Sequence, residues 1–275
     1  MRRRATAGAL AAAAVLLSGC ARPGGPADPV GPVAPVERPG GHAPQRTGSH
    51  GAPAAEPPPY RRWGLTAPLR RAPEPAARPA LGALPVVTRV PTPDRVVFLT
   101  YDDGAERDPR FVAMVRDLRL PVTMFLTDSV VGPGYGHFAR LRSVGASIQN
   151  HTLDHPALRG LPYAGQRAEI CGQQNKLRAR FGIRPHLFRP PYGLHDPTTL
   201  RAASDCGLAA VVLWRASMGS ATVTFTHGEH RLRPGDIVSL TSGDRADPTL
   251  VDRTTRLLRK IHSAGLTVGR LEDYI

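Results

Sequence analysis

Apolar positions follow a regular pattern only from Arg95 onward. The continuous apolar run from Val96 to Thr100 is typical of a buried strand, and residues 109–118 have helical periodicity behind Asp108 as the cap. Further strands are predicted over 122–126, 147–150, 186–189, 209–214, 237–240 and near Thr267, and further helices over 136–144, 163–181, 197–206 and 248–264. This alternation over about 180 residues predicts a parallel α/β architecture, either an open sheet or a barrel.

The residues before this pattern have a different composition. From Ala21 to Pro93 the chain is dominated by Pro, Gly, Ala and Arg and has hardly any periodic apolar positions. Such a segment buries too little apolar surface to offset its conformational entropy, so we predict a disordered tether over residues 20–93. Residues 60–69 contain enough apolar side chains to dock locally, although nothing in the pattern requires it. The folded domain is predicted to span residues 94–275.

The first twenty residues have the pattern of an export signal. Arg2, Arg3 and Arg4 precede an apolar run from Ala9 to Leu17, which is much shorter than the roughly 20 residues of a membrane-spanning helix. The run ends in Leu-Ser-Gly-Cys20, which resembles a bacterial lipobox. We therefore predict a lipoprotein signal peptide at residues 1–19 and a lipid anchor on Cys20, which would hold the protein at the extracellular face of the cytoplasmic membrane. The alternative is an ordinary signal peptide followed by an unrelated cysteine.

A formal net charge of +14 raises the question of a nucleic-acid partner. Nearly all the basic residues are arginine, with lysine only at Lys176 and Lys260, as a GC-rich coding sequence would produce. No basic helix and no interleaved aromatic platform is present in the sequence. We therefore expect no nucleic-acid partner. We expect the positive charge to attract the protein to anionic envelope polymers or lipids. We expect a monomer.

Three polar clusters follow predicted strands, at the carboxyl ends where parallel α/β proteins place their sites. Adjacent carboxylates repel each other unless one of them binds a cation, and two histidines four residues apart on one helical turn can share a metal. Taken singly, each cluster has a simpler explanation: a capped turn for the first, solvated loop histidines for the second and a rigid turn for the third. In this order, each after its own strand, they indicate a hydrolytic metal site. They are Thr100-Tyr101-Asp102-Asp103-Gly104, Asn150-His151-Thr152-Leu153-Asp154-His155-Pro156 and Phe188-Arg189-Pro190-Pro191-Tyr192-Gly193.

The order of these clusters resembles the polysaccharide deacetylases of carbohydrate esterase family four, from about residue 95 to the end of the chain. The resemblance implies a distorted (β/α) barrel with one divalent metal, most often zinc. It implies hydrolysis of the acetamide of an N-acetylated sugar in a cell-envelope or extracellular polysaccharide. The ligands that it implies are Asp103, His151 and His155.

The same resemblance assigns roles to the residues around the metal. Asp102 would be the general base, Arg189 would orient it, and the backbone N–H of Tyr192 would help to hold the oxyanion. Pro191 and Trp214 would contact the substrate. Together these assignments predict an enzyme that cleaves carbon–nitrogen amide bonds.

The sequence departs from the family pattern after Trp214. Family members usually carry two aspartates and a second tryptophan there, and a histidine at the end of a later strand; this chain has Ser217, Ser220, Ala221 and Thr241. A general acid contributes about 100- to 10,000-fold in rate, so the proton donor is altered or lost. The alternative hypothesis is a non-catalytic glycan-binding lipoprotein that keeps the metal cleft. A hydrolase of a different acyl or amide bond would use the same residues.

The two remaining cysteines leave a second alternative open. Cys171 and Cys206 lie on predicted helices that follow successive strands, so in a barrel they are neighbours on the outer ring. In an oxidising compartment they either form a disulfide or remain as two buried thiols.

Overall fold

The computed structural model describes residues 57–75, 84–103, 107–241 and 248–275, with Thr241 described by its backbone alone. These residues belong to one compact unit that spans Ala55–Ile275. The predicted signal peptide, Cys20 and the predicted tether over 21–56 and 76–83 lie outside the described residues. In the part of the chain that is described, no helix has the length and apolar character needed to span a bilayer.

One curled, mostly parallel sheet forms the centre of the fold. Its spatial order is β1-β6-β5-β4-β3-β2-β9-β7-β8, with β10 beside the start of β2. Only the β7–β8 pair is antiparallel among the described strands. The sheet confirms the predicted distorted barrel. The strands are β1 (Val86–Val87), β2 (Val96–Asp102), β3 (Thr123–Leu126), β4 (Ser147–Asn150), β5 (Leu187–Phe188), β6 (Ala210–Val212), β7 (Ala216–Met218), β8 (Val223–Phe225), β9 (Ile237–Thr241) and β10 (Thr267–Gly269).

Helices connect most of the parallel strands, and each predicted helix is present within two residues of its predicted bounds. The sequence did not predict α1, α3 or α8, nor the short strands β1, β7 and β8. Single 3-10 turns occupy Gly132–Gly134 and Pro191–Gly193. The helices are α1 (Pro59–Arg62), α2 (Pro109–Leu118), α3 (Asp128–Val131), α4 (Tyr135–Ser143), α5 (Tyr163–Phe181), α6 (Pro197–Asp205), α7 (Leu250–Ser263) and α8 (Leu271–Tyr274).

The two-residue alternation of β2 determines which side chains reach the barrel interior. Val97, Leu99 and Tyr101 pack in the core cluster that includes the apolar residues of α2 and α7. Val96 and Phe98 instead pack in the cluster that contains apolar residues of α8. Alternation then places Asp102, the last residue of β2, on the inner face at the carboxyl end of the barrel.

The predicted tether is wrong for residues 57–75 and 84–93, which are ordered against the domain. Leu65 is buried, and Trp63 Nε1 donates a hydrogen bond of 3.1 Å to Asp117 Oδ2 at the end of α2. Val90 is buried and β1 pairs with β6. A few large apolar side chains hold these segments in place although their composition is rich in proline. We call residues 57–75 the strap.

The structure contains the disulfide between Cys171 and Cys206, with Cα atoms 5.1 Å apart. Cys171 lies on α5 and Cys206 caps the carboxyl end of α6. The bond therefore joins the helices that follow β4 and β5.

Candidate metal and hydrolytic site

A left-handed residue brings the two adjacent carboxylates of the first cluster to the same place. Asp102 ends β2, and Asp103 follows with φ +60° and donates its N–H to the carbonyl of Phe125 over 3.0 Å. In a continuing strand, successive side chains would point to opposite faces. Because the chain turns at Asp103, both carboxylates lie at the carboxyl-end mouth of the barrel.

The two histidines of the second cluster converge in a different way from the predicted one. β4 ends at Asn150, and the residues after it form no helical turn; Thr152 and His155 have φ of +74° and +59°. The N–H of Thr152 donates to Asn150 Oδ1 over 3.0 Å, and the N–H of His155 donates to Thr152 Oγ1 over 3.2 Å. The helical turn was therefore a wrong prediction. Two left-handed residues, held by side-chain acceptors, bring His151 and His155 together.

Asp103, His151 and His155 have the geometry of a cation site. His151 Nε2 lies 3.8 Å from Asp103 Oδ1, and His155 Nε2 lies 3.5 Å from Asp103 Oδ2. Two ligand atoms about 2.1 Å from a tetrahedral zinc would lie about 3.4 Å apart. Asp103 Oδ1 is also buried without a hydrogen-bond partner, as expected for a carboxylate oxygen that binds a cation. These three residues therefore fit a divalent metal.

A hydrogen bond to the main chain sets the orientation of His151. Its Nδ1 lies 2.6 Å from the carbonyl oxygen of Arg189, so Nδ1–H is the donor and Nε2 keeps a free lone pair toward Asp103. Burial lowers the pKa of His151, and the negative charges of Asp102 and Asp103 oppose that change. Burial thus favours the neutral imidazole, which is the form that binds a metal.

Asp102 is held at both carboxylate oxygens. The fully buried Arg189 donates from Nη1 to Asp102 Oδ1 over 2.5 Å, and Ser239 Oγ donates to Oδ2 over 3.1 Å. Arg189 itself is fixed, because its Nε donates to the carbonyl of Val212 over 3.0 Å and its guanidinium lies 4.3 Å from the centre of the Phe125 ring. The sequence interpretation missed Ser239. Its signal is a polar residue inside the apolar run 237–240, at an inward position of β9.

Aromatic side chains border the same mouth. Tyr192 is 63% exposed, has φ +60°, and places its ring centre 4.7 Å from that of His155. Trp214 lies 5.3 Å from the Arg189 guanidinium and packs on Gly193, where a Cβ atom would come within 3.3 Å of Trp214 Cη2. Pro191, the first residue of the 3-10 turn that contains Tyr192 and Gly193, is buried. Tyr192 therefore lies against the candidate ligand His155, and Trp214 packs on Arg189 and Gly193. The substrate contacts of Pro191 and Trp214 stay a prediction.

The strands β9, β7 and β8 lie on the other side of β2 from β3. At the four positions where the sequence departs from the family pattern, they carry no carboxylate and no imidazole. Ser217 is the register partner of Ser239, whereas Ser220 and Ala221 are exposed in the β7–β8 turn. The backbone of Thr241 pairs with Asp102.

The histidines considered as substitutes fall into two groups. His227 and His230 lie between β8 and β9, at the amino-terminal ends of the parallel strands and away from the mouth. His195 follows β5 on the mouth side, with Nδ1 3.2 Å from the Gly193 carbonyl. Asp244 lies outside the described residues.

The open barrel and the carboxylate–dihistidine cluster at its mouth place the chain among α/β proteins with a candidate metal site of the hydrolytic type. Residues 89–211 match the family model for polysaccharide deacetylase. An uncharacterised protein of Streptomyces coelicolor is 64% identical over 192 residues, which cover 70% of this chain and 77% of that protein. The chain belongs to the polysaccharide deacetylase family.

Two further comparisons agree with this assignment. Chitin deacetylase 1 of Cryptococcus neoformans is 28% identical over 170 residues, which cover 61% of this chain but 36% of that protein. A mutant, with restored enzymatic activity, of a family four pseudoenzyme from Bacillus anthracis superposes with a TM-score of 0.60 at 20% identity. That superposition covers 70% of this chain and 72% of the other, and it shows a shared fold.

Proposed function

We propose that this protein is a zinc-dependent hydrolase that removes acetyl groups from an N-acetylated polysaccharide of the cell envelope or its surroundings. One observation carries the proposal: a carboxylate and two histidines converge beside a second carboxylate, Asp102, that is held on both oxygens. A protein that only bound glycans would need no such carboxylate. The retained pair of Asp102 and Arg189 therefore favours an enzyme.

The residues of the chain would divide the work as follows. Asp103, His151 and His155 would hold the cation, which when bound supplies the Lewis acidity that activates water and polarises the amide carbonyl. Asp102, oriented by Arg189, would accept a proton from the attacking water. The N–H of Tyr192 would donate to the oxygen on which negative charge develops.

The borders of the mouth support a carbohydrate substrate. The exposed ring of Tyr192 and the half-buried ring of Trp214 offer surfaces against which the apolar faces of pyranose rings pack. The names of the matched relatives include chitin, chitooligosaccharide and peptidoglycan N-acetylglucosamine deacetylases. We propose that lipid on Cys20 holds this activity at the extracellular face of the cytoplasmic membrane.

A second candidate function rests on the altered positions. Ser217, Ser220 and Thr241 stand where the resemblance places two aspartates and a histidine, and the structural neighbour from Bacillus anthracis is named a pseudoenzyme. A non-catalytic glycan-binding protein would share this feature. The enzyme hypothesis then requires slow turnover or a different proton donor.

Acetate release from a panel of N-acetylated glycans, with and without added zinc, tests the proposal. We expect slow, zinc-dependent release that is abolished in Asp102→Asn. Glycan binding without acetate release from any member of the panel would establish the second candidate. A zinc-independent release that persists in Asp102→Asn would reject both assignments of the site.

A further inference from the structure

A cavity of about 460 Å³ lies far from the metal ligands. It is open to solvent and is lined by the end of α2, by β10, by α8 and by the strap. Because β10 pairs with the first residues of β2, this cavity lies at the amino-terminal ends of the strands, whereas Asp102 and Asp103 lie at their carboxyl ends. Its charged lining residues are Arg70, Arg71, Glu74, Arg119, Arg270 and Asp273.

The lining of this cavity is positively charged. Its four arginines outnumber its two carboxylates, so two positive charges remain in excess. Arg71 and Glu74 form an ion pair of 3.9 Å in which both side chains are more than nine-tenths exposed. The ion pairs found among the described residues include none to Arg70 or Arg119.

The wall that carries Arg70 and Arg71 is fastened to the barrel. The hydroxyl of Tyr274 donates to the carbonyl of Pro73 over 2.9 Å, and the hydroxyl of Thr267 donates to the carbonyl of Arg70. The same hydroxyl lies 3.1 Å from Asp94 Oδ2, and burial together with this carboxylate raises the pKa of Tyr274. The strap therefore closes one side of a formed cavity.

The opposite wall contains a residue in a strained conformation. Arg119 caps α2 with φ +47°, a left-handed position that is usually glycine in helix caps. A residue with a Cβ costs about 1 kcal/mol or more in that conformation. An arginine here accepts this strain while adding a guanidinium to the cavity lining.

We propose that this cavity is a binding site for a ligand that carries a phosphate group, separate from the metal site. Guanidinium groups bind phosphate oxygens through paired, charge-assisted hydrogen bonds, and arginines supply the positive charges here. The cavity is within the range of about 300–1,000 Å³ that is typical of ligand pockets, so it accommodates more than an inorganic ion. A phosphate ester of this size is either the headgroup of an anionic phospholipid or a soluble metabolite.

The binding test uses the full chain with Cys20→Ser, so that no acyl group on that residue contributes. Calorimetry with inorganic pyrophosphate is compared among the parent, Arg70→Gln/Arg119→Gln, and the control Arg167→Gln/Arg178→Gln. The control removes two exposed arginines of α5 that do not line the cavity. We expect the cavity variant to bind at least about tenfold more weakly and the control to change by less than about twofold.

A variant that is expected to bind pyrophosphate more tightly separates an effect on binding from an effect on folding. Asp273 is an exposed carboxylate of the lining, so Asp273→Asn should tighten pyrophosphate binding, an effect that misfolding cannot imitate. Equal weakening in the cavity and control variants, or no binding of pyrophosphate by the parent at millimolar concentration, would overturn the proposal.

Cosedimentation with phosphatidylglycerol–phosphatidylcholine vesicles identifies the source of the phosphate. Because basic residues elsewhere also attract anionic membranes, the difference between the two variants is the relevant measurement. Vesicle binding that falls only in the cavity variant, and that pyrophosphate displaces, assigns a lipid headgroup. Equal vesicle binding by both variants, with pyrophosphate binding lost only in the cavity variant, assigns a soluble phosphate ester.

Discussion

The two sides of the barrel mouth differ in how completely their polar groups are connected. On the side of β3, β4 and β5, the buried Arg189 bonds to Asp102, and its own carbonyl accepts the hydrogen bond that orients His151. On the side of β7, the altered positions carry hydroxyl or methyl groups, and two of them lie in an exposed turn. Under the proposed function, the connected side would hold the cation and the base, and the other side would have to deliver a proton to the leaving amine.

The connected side is also the braced side. The disulfide joins α5 and α6, which follow β4 and β5, the strands that end just before His151 and Arg189. β7 and β8 instead form an antiparallel pair at the edge of the sheet. The candidate cation ligands and the disulfide therefore lie on the same side of the mouth. We expect substitutions on that side to change metal content or stability, and substitutions on the other side to change the rate alone.

The largest effect is expected from the cation ligands on the connected side. His151→Ala or Asp103→Asn should remove both metal and activity, because each deletes one of three protein ligands of a site predicted to hold about one ion per chain. Elemental analysis of protein purified without chelator gives the metal content. Asp154→Asn, an exposed carboxylate in the same loop, is the control and should keep both. Full metal content in His151→Ala would show that the ion binds elsewhere.

The next effect separates the base from the ligands. Asp102→Asn keeps the shape of the side chain but cannot accept a proton, so turnover should fall by about 100- to 10,000-fold with metal content unchanged. Ser239→Ala removes only one hydrogen bond to Asp102 and should have a smaller effect. Loss of metal from Asp102→Asn would instead place Asp102 among the ligands.

A smaller effect is expected from repairing the altered side. Thr241→His alone should change the rate little, because Ser217 and Ser220 provide no carboxylate to orient the imidazole. Combined with Ser217→Asp and Ser220→Asp, it should raise acetate release by about 10- to 100-fold, within the contribution of a general acid. The rates of the parent, of Thr241→His, of Ser217→Asp/Ser220→Asp and of the combined variant form a double-mutant cycle. In that cycle the gain of the combined variant, as a free energy, must exceed the sum of the separate gains.

A rapid parent enzyme would contradict this account of the altered side. Another donor would then be present, and His195 would be the first residue to replace because it lies on the mouth side of β5. His195→Gln should leave metal content unchanged in either case.

The smallest effect on chemistry should come from the brace. Cys171→Ser/Cys206→Ser opens a loop of 35 residues and should lower the free energy of unfolding by about 3–4 kcal/mol, chiefly through the entropy of the unfolded chain. Denaturant unfolding measures the change. Metal content at low temperature should be unaltered. A loss of stability below about 1 kcal/mol would mean that the bond does not constrain the unfolded state.

The sequence predicted the central elements because their signals are local and strong. The helix over Pro109–Leu118 begins behind an aspartate whose carboxylate accepts the N–H of Arg110, as its pattern suggests. The apolar run of β2 is equally clear. By contrast, β7 and β8 are three residues each and contain serine, threonine and alanine, so they produce neither periodicity nor a long apolar run.

Other errors come from contacts that depend on tertiary structure. The strap resembles a disordered segment by composition, yet Trp63 and Leu65 bury enough apolar surface to hold it. The histidine spacing suggested a helical turn, whereas the loop reaches the same convergence through backbone angles that spacing does not report. The contact of Ser239 with Asp102 depends on strand order across the sheet, which periodicity cannot supply.

Of the five non-glycine residues with positive φ in the described chain, two are candidate ligands, Asp103 and His155, and two lie beside them, Thr152 and Tyr192. Each costs about 1–2 kcal/mol relative to a right-handed conformation, so the mouth holds on the order of 4 kcal/mol or more of local instability. The hydrogen bonds between the strands and the packing of the core must offset this free energy. The loops of the mouth should therefore open more readily than the sheet below them. Amide hydrogen exchange should then be fastest in these loops before a cation binds, and saturation with zinc should slow it most where the backbone is left-handed.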